Sequence, residues 1–303
     1  MTAAFCLIFS ACSNASGVDR TSEQKEKVIT YLNQEYKVPE KVDKIVTASL
    51  ESMEDAAILG VKPIGAVTYA GKLPQYLAKE LEGAESIGEK MQPNYETLLD
   101  MKPDVILGST KYPPDVAKQL NKVAPMIPVS HVSANWEENL RLLAGFAGKE
   151  DKADEIIAKY KEDAEKLKGI VQGELKDKKV VVARIRGGSI YLYPQDVYFN
   201  HSLYTDFGLT VPEEIKGVKT QEIISLEKFA EMNPDYVFLQ YSERENAQNP
   251  KSLENLQSNP IWQSIQAAKD KNVFVNVVDP LAQGGTAWSK MAFLEAVKNH
   301  LSN

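Results

Sequence analysis

Cysteine and histidine are scarce in this 303-residue sequence. Both cysteines, Cys6 and Cys12, lie at the very start, so the rest of the chain can form no disulfide and offers no thiol nucleophile. The three histidines, His131, His201 and His300, are far apart and lack the spacing of metal ligands. These absences exclude a disulfide-stabilised scaffold and a cysteine hydrolase, and they predict that the protein supplies no metal ligands of its own.

Long apolar runs, basic blocks and common catalytic motifs are also missing. No internal run approaches the roughly 20 apolar residues needed to span a bilayer. The formal net charge is -7, and no stretch of lysine and arginine is long enough to follow a phosphate backbone, so nucleic acid is excluded as a predicted partner. The chain has no GxSxG elbow, no Walker loop and no GxGxxG after a strand. We therefore predict no enzymatic activity and no catalytic residue; an esterase is the alternative.

The N-terminal run MTAAFCLIFSACSNASG is apolar and ends in small residues. This pattern is typical of the end of an export signal. The segment FSAC resembles the bacterial lipobox, which predicts lipid attachment at Cys12 and a location on the outer face of the cell membrane. The alternative is an apolar terminus with two incidental thiols. We assign residues 1–37 to the signal remnant and tether.

Beyond this segment, short β-rich runs alternate with helical patterns. KIVTAS (44–49) and DVILGS (104–109) are strand-like and are separated by amphipathic stretches, and the pattern restarts at KKVVVARIR (178–186). Such alternation predicts α/β structure with covered sheet faces. We expect one α/β lobe at residues 38–148 and a second at residues 178–303.

The segment between the two lobes has the periodicity of a long helix. From Asn135 to about Lys179 no proline occurs, and apolar residues such as Ile156, Tyr160 and Ala164 recur at spacings of three and four. One unbroken helix is predicted over this stretch, with residues 149–177 forming the linking helix. Since a flexible linker is rich in Gly, Ser or Pro, this segment favours a rigid strut that limits lobe movement.

The two predicted lobes share an internal repeat. ETLLDMKPDVIL, which begins at Glu96, matches EKFAEMNPDYVFL, which begins at Glu227, with methionine, proline and aspartate at the same spacing. In both copies an amphipathic helix ends before a proline, because the residue preceding proline is pushed out of the helical region, and an apolar strand follows. We infer two homologous lobes, each with one glutamate early in the corresponding helix.

Several cations follow or end predicted strands, although the chain as a whole is acidic. Positions after strand ends converge in an α/β lobe, so these side chains predict a local site for an anion. Arg184 and Arg186 are two residues apart in one strand and therefore share a face. Lys216 competes with Lys219 for one role, since both lie in the same loop. The candidate cations are Lys72, Lys111, Arg184, Arg186, Lys219 and Lys216.

Taken together, these features resemble a known family. The lipobox, two α/β lobes with a long connecting helix, the paired helix elements and DPLAQGGTAWSKMAFLEAV look like class III, helix-linked substrate-binding proteins of ABC importers. GKLP, STKYPP and RIRGG make the chain most similar to the FeuA type, which binds ferric tricatecholate siderophores such as ferri-bacillibactin in Gram-positive bacteria. The resemblance implies two Rossmann-like lobes joined by a single long α-helix, and a monomer.

The resemblance also implies roles for particular residues. The strand-end cations would line the cleft with Gln221 as a polar contact, and Glu96 and Glu227 would contact arginines of the ABC permease; the alternative is that these glutamates only stabilise helix N-termini. The iron would arrive saturated by catecholate oxygens, so no cofactor is implied. Gly187 departs from the family pattern, which has a polar glutamine there, and this leaves the substrate open between a bacillibactin-like or enterobactin-like tricatecholate and another chelate such as cobalamin, haem or a different siderophore.

Two further side chains have alternative interpretations. His131 ends a predicted strand, where it either reaches the cleft or, as the favoured interpretation, is a satisfied loop histidine. Trp288 follows Gly284 and Gly285 and either faces the cleft or packs in the core of a lobe, and we favour the core.

Overall fold

The computed structural model describes residues 25–301. Cys12 and the rest of the predicted signal remnant up to residue 24 lie outside these residues. The described part of the N-terminal half contains eight strands and three α-helices, which precede the long helical segment. The strands are β1 (Glu26–Tyr31), β2 (Gln34–Pro39), β3 (Ile45–Thr47), β4 (Gly65–Thr68), β5 (Glu85–Glu89), β6 (Gln92–Pro93), β7 (Val105–Ser109) and β8 (Met126–Val129). The helices are α1 (Leu50–Leu59), α2 (Tyr95–Met101) and α3 (Pro114–Val123).

Six of these strands form the sheet of the N-terminal lobe, in the order β6-β5-β4-β3-β7-β8. The pairs from β5 to β8 are parallel, and only the short β6 is antiparallel. Strands β3, β4 and β7 are buried along their whole length, as expected of parallel strands covered by helices on both faces. The carboxyl ends of these strands therefore meet along one edge of the sheet.

The predicted linking helix is interrupted. The structure has two helices, α4 (Trp136–Ala147) and α5 (Glu150–Glu174), where the sequence pattern favoured one helix from Asn135 onward. The prediction of one unbroken helix is wrong at Gly148, which adopts a left-handed conformation with φ of 60°. Glycine adopts this conformation without the steric penalty of a side chain and commonly ends helices in this way. The linking helix proper is α5, and its 25 residues lie within the predicted range 149–177.

The C-terminal half contains a second, five-stranded sheet in the order β11-β10-β9-β12-β13. Its strands are β9 (Val180–Arg186), β10 (Ser189–Leu192), β11 (Glu222–Ile224), β12 (Tyr236–Tyr241) and β13 (Val273–Val275). Its helices are α6 (Glu213–Lys216), α7 (Leu226–Met232), α8 (Ser252–Ser258), α9 (Pro260–Ser264), α10 (Gln266–Lys269) and α11 (Ala287–Leu301). Strands β9, β12 and β13 are parallel, whereas β10 and β11 are antiparallel to their neighbours. The predicted α/β class with two lobes is therefore observed.

The internal repeat has the same geometry in both lobes. Helices α2 and α7 begin with side-chain caps from Asn94 and Ser225, and both end at a residue with positive φ directly before the proline. The aspartate after that proline then binds backbone amides at the start of a neighbouring strand: Asp104 accepts from Lys44, and Asp235 accepts from Lys179. The matching caps, turns and carboxylate contacts explain why both copies retain the same pattern.

The N-terminal hairpin β1–β2 forms part of the folded lobe. The Tyr31 hydroxyl donates to Asn139 Oδ1 at 2.5 Å and accepts from the Ser130 amide at 2.8 Å. Tyr31 is 4% exposed, and the hairpin packs against α4. The tether predicted for residues 1–37 is therefore wrong for the hairpin residues, because short strands of mixed polarity gave no clear pattern.

The C-terminal segment returns to the N-terminal lobe. The buried Glu54 carboxylate on α1 accepts hydrogen bonds from the Gln283 amide and from the hydroxyls of Thr286 and Ser289. The Trp288 ring lies 4.8 Å from the Tyr76 ring, between centroids, so Trp288 packs against the N-terminal lobe. The two lobes are thus joined by α5 and by the segment that leads into α11. No helix within residues 25–301 is both long and apolar enough to cross a membrane.

Gly284 lies where the C-terminal segment passes close to the backbone of Tyr198 and Phe199. Its φ is +73°, and a Cβ atom there would lie 2.5 Å from the carbonyl carbon of Tyr198. We expect Gly284→Ala to lower the free energy of unfolding by about 2–4 kcal/mol, because strain from the left-handed conformation adds to overpacking. Urea unfolding of the purified protein measures this change.

Gly71→Ala is the matched control. Gly71 has the same φ of +73°, but no atom lies within 4 Å of the Cβ position. This variant should therefore lose only the conformational part, about 1–2 kcal/mol. Equal losses in the two variants would contradict the close-packing argument.

Candidate functional site

A cleft of about 430 Å³ lies between the two lobes. Its charged lining includes five cations, of which two come from the N-terminal lobe and three from the C-terminal lobe. The cations are Lys90, Lys111, Arg184, Arg186 and Lys219. The tyrosines Tyr69, Tyr193 and Tyr198 also line the cleft, together with Gln221, Gln283 and His131. Four of the predicted cations and the predicted Gln221 are therefore brought together in one place.

The sheets explain why these residues converge. Lys111 follows β7, His131 follows β8 and Tyr69 follows β4, so all three extend from the carboxyl edge of the parallel sheet. Arg184 and Arg186 lie within β9 itself, and their alternation along the strand directs both to the cleft. A strand buried on both faces is a rigid platform, which fixes the guanidinium groups before any ligand enters.

The two arginines share one carboxylate. Arg184 Nε lies 2.8 Å from Glu245 Oε2, and Arg186 Nε lies 3.4 Å from Glu245 Oε1. Arg184 Nη1 also donates to the Tyr198 hydroxyl at 3.1 Å, and Arg186 Nη1 donates to Gln221 Oε1 at 3.0 Å. These contacts leave further guanidinium N–H groups available to an anion in the cleft.

On the N-terminal side, Lys111 is held by a buried carboxylate. Its ammonium lies 2.8 Å from Glu51 Oε1 and 3.3 Å from Gln283 Oε1. The Glu51 side chain is 1% exposed. Burial opposes ionisation of Glu51, but the charges of Lys111 and Lys90 outweigh this effect, and the pKa of Glu51 is lowered. Glu51 is therefore a carboxylate at neutral pH.

Lys90 is a cleft residue that the sequence analysis missed. It lies in the tight turn between β5 and β6, and neither strand has the apolar pattern that marked the other strand ends. Its ammonium has no hydrogen bond or ion pair within residues 25–301. Burial, together with the nearby charge of Lys111, lowers the pKa of Lys90. An anionic ligand next to Lys90 would stabilise its charged form.

Lys72 and Lys216 lie outside the cleft, which corrects their predicted placement. Lys72 is exposed in a turn whose backbone pairs with Tyr69, and this turn brings Tyr69 rather than Lys72 into the cleft. Lys216 is the last residue of the short α6 and pairs with Glu213 at 2.5 Å on the exposed surface. Of the two competing lysines in this region, Lys219 is therefore the one that reaches the cleft.

One ion pair crosses the mouth of the cleft. Glu89 of the N-terminal lobe and Arg244 of the C-terminal lobe lie 3.1 Å apart between Oε2 and Nη2. The Arg244 guanidinium also lies 5.5 Å from the centre of the Tyr69 ring. Behind the cleft, Ser133 donates its hydroxyl to the Tyr198 carbonyl, and Val132 pairs with Val197. The lobes are thus in contact at two places next to residues that line the cavity.

The three histidines have separate environments. His131 lines the cleft, which departs from the favoured interpretation of it as a loop histidine, although its Nδ1 is also paired with Thr110 Oγ1 at 2.7 Å. Burial and the charge of Lys111 lower the pKa of His131. His201 lies near Asp206, and His300 stacks on Phe274. Within residues 25–301 no group of three or more His, Cys, Asp or Glu residues is arranged to hold a metal ion.

Glu96 and Glu227 lie away from the cleft. Each is exposed in the first turn of its helix, α2 or α7, where a carboxylate interacts favourably with the helix dipole. Neither carboxylate makes an ion pair with another part of the chain that the structure describes. Both are therefore accessible to a partner protein.

The chain is similar in sequence to known proteins over most of its length. The profile of the family described as periplasmic binding protein matches residues 45–276. The iron-uptake system-binding protein of Bacillus subtilis (strain 168) is 50% identical over 291 residues, which cover 96% of this chain and 92% of that protein. A probable siderophore-binding lipoprotein, YfiY, of the same organism is 29% identical, with coverage of 88% and 85%.

A solved structure is also similar over nearly the whole chain. It is the triscatecholate siderophore binding protein FeuA from Bacillus subtilis complexed with ferri-bacillibactin. The TM-score is 0.87 and the sequence identity 52%, and the match covers 91% of this chain and 98% of that one. At this similarity the two chains share their lobe arrangement as well as their class of fold.

Proposed function

The chain belongs to the periplasmic binding protein family, and from this premise we propose that it captures a ferric tricatecholate siderophore in the cleft and delivers it to an ABC importer. Like the binding proteins that it matches, it is a substrate-binding protein and not an enzyme. Its resemblance to FeuA-type proteins, inferred from sequence motifs, is confirmed. The observation that carries the proposed ligand is the convergence of five cations from both lobes on one cavity.

The charge of the ligand explains this convergence. A ferric complex of three catecholates carries three negative charges. At an effective dielectric constant of about 20 and a separation of about 5 Å, each pair of unit charges contributes roughly 3 kcal/mol before desolvation. The guanidinium planes and the tyrosine rings also offer flat surfaces to catechol rings. Neutral hydroxamate complexes would gain nothing from the net positive charge of the site.

Comparing ligand classes tests this function. The purified protein would be titrated with a ferric tricatecholate, a ferric hydroxamate and cobalamin, with binding followed by quenching of intrinsic fluorescence. We expect the tricatecholate to bind at least 100-fold more tightly than the other two, about 2.7 kcal/mol. Equal or tighter binding of the hydroxamate or of cobalamin would reject a tricatecholate carrier, and release of monomers from the siderophore would indicate an esterase.

Gly187 bears on which tricatecholate siderophore the protein prefers. It follows Arg186 with φ of +56°, has no side chain to offer the ligand and does not line the cleft. Gln221 and Gln283 are the amide side chains that do. We therefore propose a site that recognises the charged tricatecholate core rather than the backbone of one particular siderophore, so bacillibactin-like and enterobactin-like ligands should bind with similar affinity.

Docking to the permease is proposed for Glu96 and Glu227. Their equivalent positions in the internal repeat present one exposed carboxylate from each lobe. We expect the double variant Glu96→Lys/Glu227→Lys to lower uptake of ferric tricatecholate by at least tenfold in bacteria that depend on this protein, because like charges then face the permease arginines. The affinity of the purified variant for the siderophore should stay within twofold of the wild type.

Asp100 and Glu231 provide the matched control. They are exposed acids of the same two helices, at equivalent positions near the opposite helix ends. The variant Asp100→Lys/Glu231→Lys changes the net charge equally and should leave uptake nearly unchanged. A similar loss of uptake in both double variants would show a general charge effect instead of docking at Glu96 and Glu227.

We also propose that Cys12 carries a lipid anchor and that the protein acts as a monomer on the outer face of the cell membrane of a Gram-positive bacterium. Cys12 lies outside the described residues, so this proposal rests on the lipobox-like sequence and on the similarity to a probable lipoprotein. Metabolic labelling with a fatty acid, compared between the wild type and Cys12→Ala, tests it. Labelling that persists in the variant would reject Cys12 as the attachment site.

A further inference from the structure

The cleft combines its five cations with two carboxylates. Glu245 lines the cleft and pairs with both arginines, and Glu51 pairs with Lys111 from below. The side chains that line the cleft or pair directly with a lining cation carry five positive and two negative charges. The net charge of the cleft is therefore +3. The Glu89 and Arg244 pair at the mouth adds no net charge. This value equals the charge of a ferric tricatecholate with opposite sign.

The fold alone does not account for a buried carboxylate at Glu51. Oε1 binds Lys111, but Oε2 is buried and has no hydrogen-bond partner in the part of the chain that the structure describes. An ionised carboxylate with one unpartnered oxygen is costly to bury. The neighbouring Glu54, in contrast, is held by hydrogen bonds to both oxygens. The cations of the cleft therefore keep Glu51 ionised. The Glu51 carboxylate in turn offsets part of their positive charge.

We propose that Glu51 and Glu245 are specificity-determining residues that hold the cleft at a net charge of +3 and so match it to a trianion. The inference rests on the proposed function and adds a feature of the protein that its basic residues alone do not explain. Without the two carboxylates, five cations would repel one another in the empty cleft. With them, Lys90 and Lys219 have no ion-pair partner among residues 25–301, and the two carboxylates offset part of the charge of the other three cations.

Isosteric complexes of different charge provide a direct test. One tricatecholate ligand would be loaded either with gallium(III), which gives a trianion, or with titanium(IV), which gives a dianion of nearly the same size. Both metals are redox-inert under these conditions, and binding is measured by isothermal titration calorimetry. The quantity of interest is the ratio of the two affinities, because contacts to the organic ligand cancel in it.

Replacement of one carboxylate should change this ratio in a defined direction. Glu51→Gln keeps the shape of the side chain and raises the charge of the cleft to +4. The added charge acts on three ligand charges in the gallium complex and on two in the titanium complex, so we expect the affinity ratio to rise at least threefold, about 0.7 kcal/mol. Glu245→Gln should shift the ratio in the same direction, and it serves as the second variant if Glu51→Gln does not fold.

Glu162→Gln is the matched control. Glu162 also pairs with a lysine, Lys166 at 2.6 Å, but on the exposed surface of α5. It should leave the ratio within about 1.5-fold of the wild type, since exposed charges are screened. An unchanged or lower ratio in the cleft variants, with normal binding by the wild type, overturns this inference alone. A wild type that binds neither complex overturns the proposed function, and the inference with it.

Discussion

Lys90→Glu is expected to weaken binding of ferric tricatecholate at least 100-fold, about 2.7 kcal/mol. Lys90 lines the cleft and has no ion-pair partner among the described residues, so no direct contact neutralises the charge that it presents to the ligand. The substitution replaces attraction by repulsion toward a trianion, which makes this one of the two largest effects that we expect. Fluorescence-quenching titration of the folded variant measures it.

Lys72 is the matched control, because the sequence pattern predicted it as a site residue whereas the structure places Lys90 in the cleft instead. Both lysines belong to the N-terminal lobe, but Lys72 is exposed and lies outside the cleft. Lys72→Glu should change the affinity less than twofold. An affinity of Lys90→Glu within threefold of the wild type would remove Lys90 from the site, and a comparable loss in Lys72→Glu would indicate a long-range charge effect.

Asp206→Asn is expected to lower the free energy of unfolding by about 3–5 kcal/mol. The Lys290 side chain is 0% exposed, and its ammonium lies 2.6 Å from Asp206 Oδ2. Asp206 also accepts the Tyr160 hydroxyl at 2.6 Å, and the ammonium lies 5.6 Å from the centre of the Trp136 ring. Loss of the carboxylate leaves a buried charge without its counter-ion, where α4, α5 and α11 meet. Thermal and urea unfolding measure the loss.

A double variant shows whether the buried charge is the cause. Lys290→Met removes the ammonium and keeps most of the volume, so Lys290→Met/Asp206→Asn should be more stable than Asp206→Asn alone. Additive losses in the double variant would contradict the ion-pair argument. Because the cleft between the lobes is lined by other residues, ligand binding by the folded double variant should persist.

The pH dependence of stability follows from the same pair. Burial opposes ionisation of Asp206, but the neighbouring His201 and the charge of Lys290 lower its pKa to about 2. A carboxyl group with a lowered pKa in the folded state contributes stability above its unfolded pKa and loses it as the pH falls toward the folded value. The difference in stability between the wild type and the double variant should therefore shrink between about pH 4 and pH 2.

The sequence by itself determined the class of fold and marked four of the five cations that line the cleft. Buried parallel strands need continuous apolar runs, so β7, β9 and β12 were visible as patterns, and the arginines within β9 were placed on one face by its period of two. The repeated proline and aspartate marked the same turn in both lobes. These are local properties, which neighbouring residues fix.

Only the tertiary structure decided which lysines meet and which carboxylates oppose them. Lys90 lies between two short strands without an apolar pattern. Its contribution to the charge of the cleft depends on how close the two lobes lie, and no local sequence pattern encodes that distance. Glu51 is on a helix and Lys111 follows a strand, and their ion pair joins positions 60 residues apart. Net charge inside a cleft is a sum over residues brought together by packing, so it was fixed by the fold and not by any one motif.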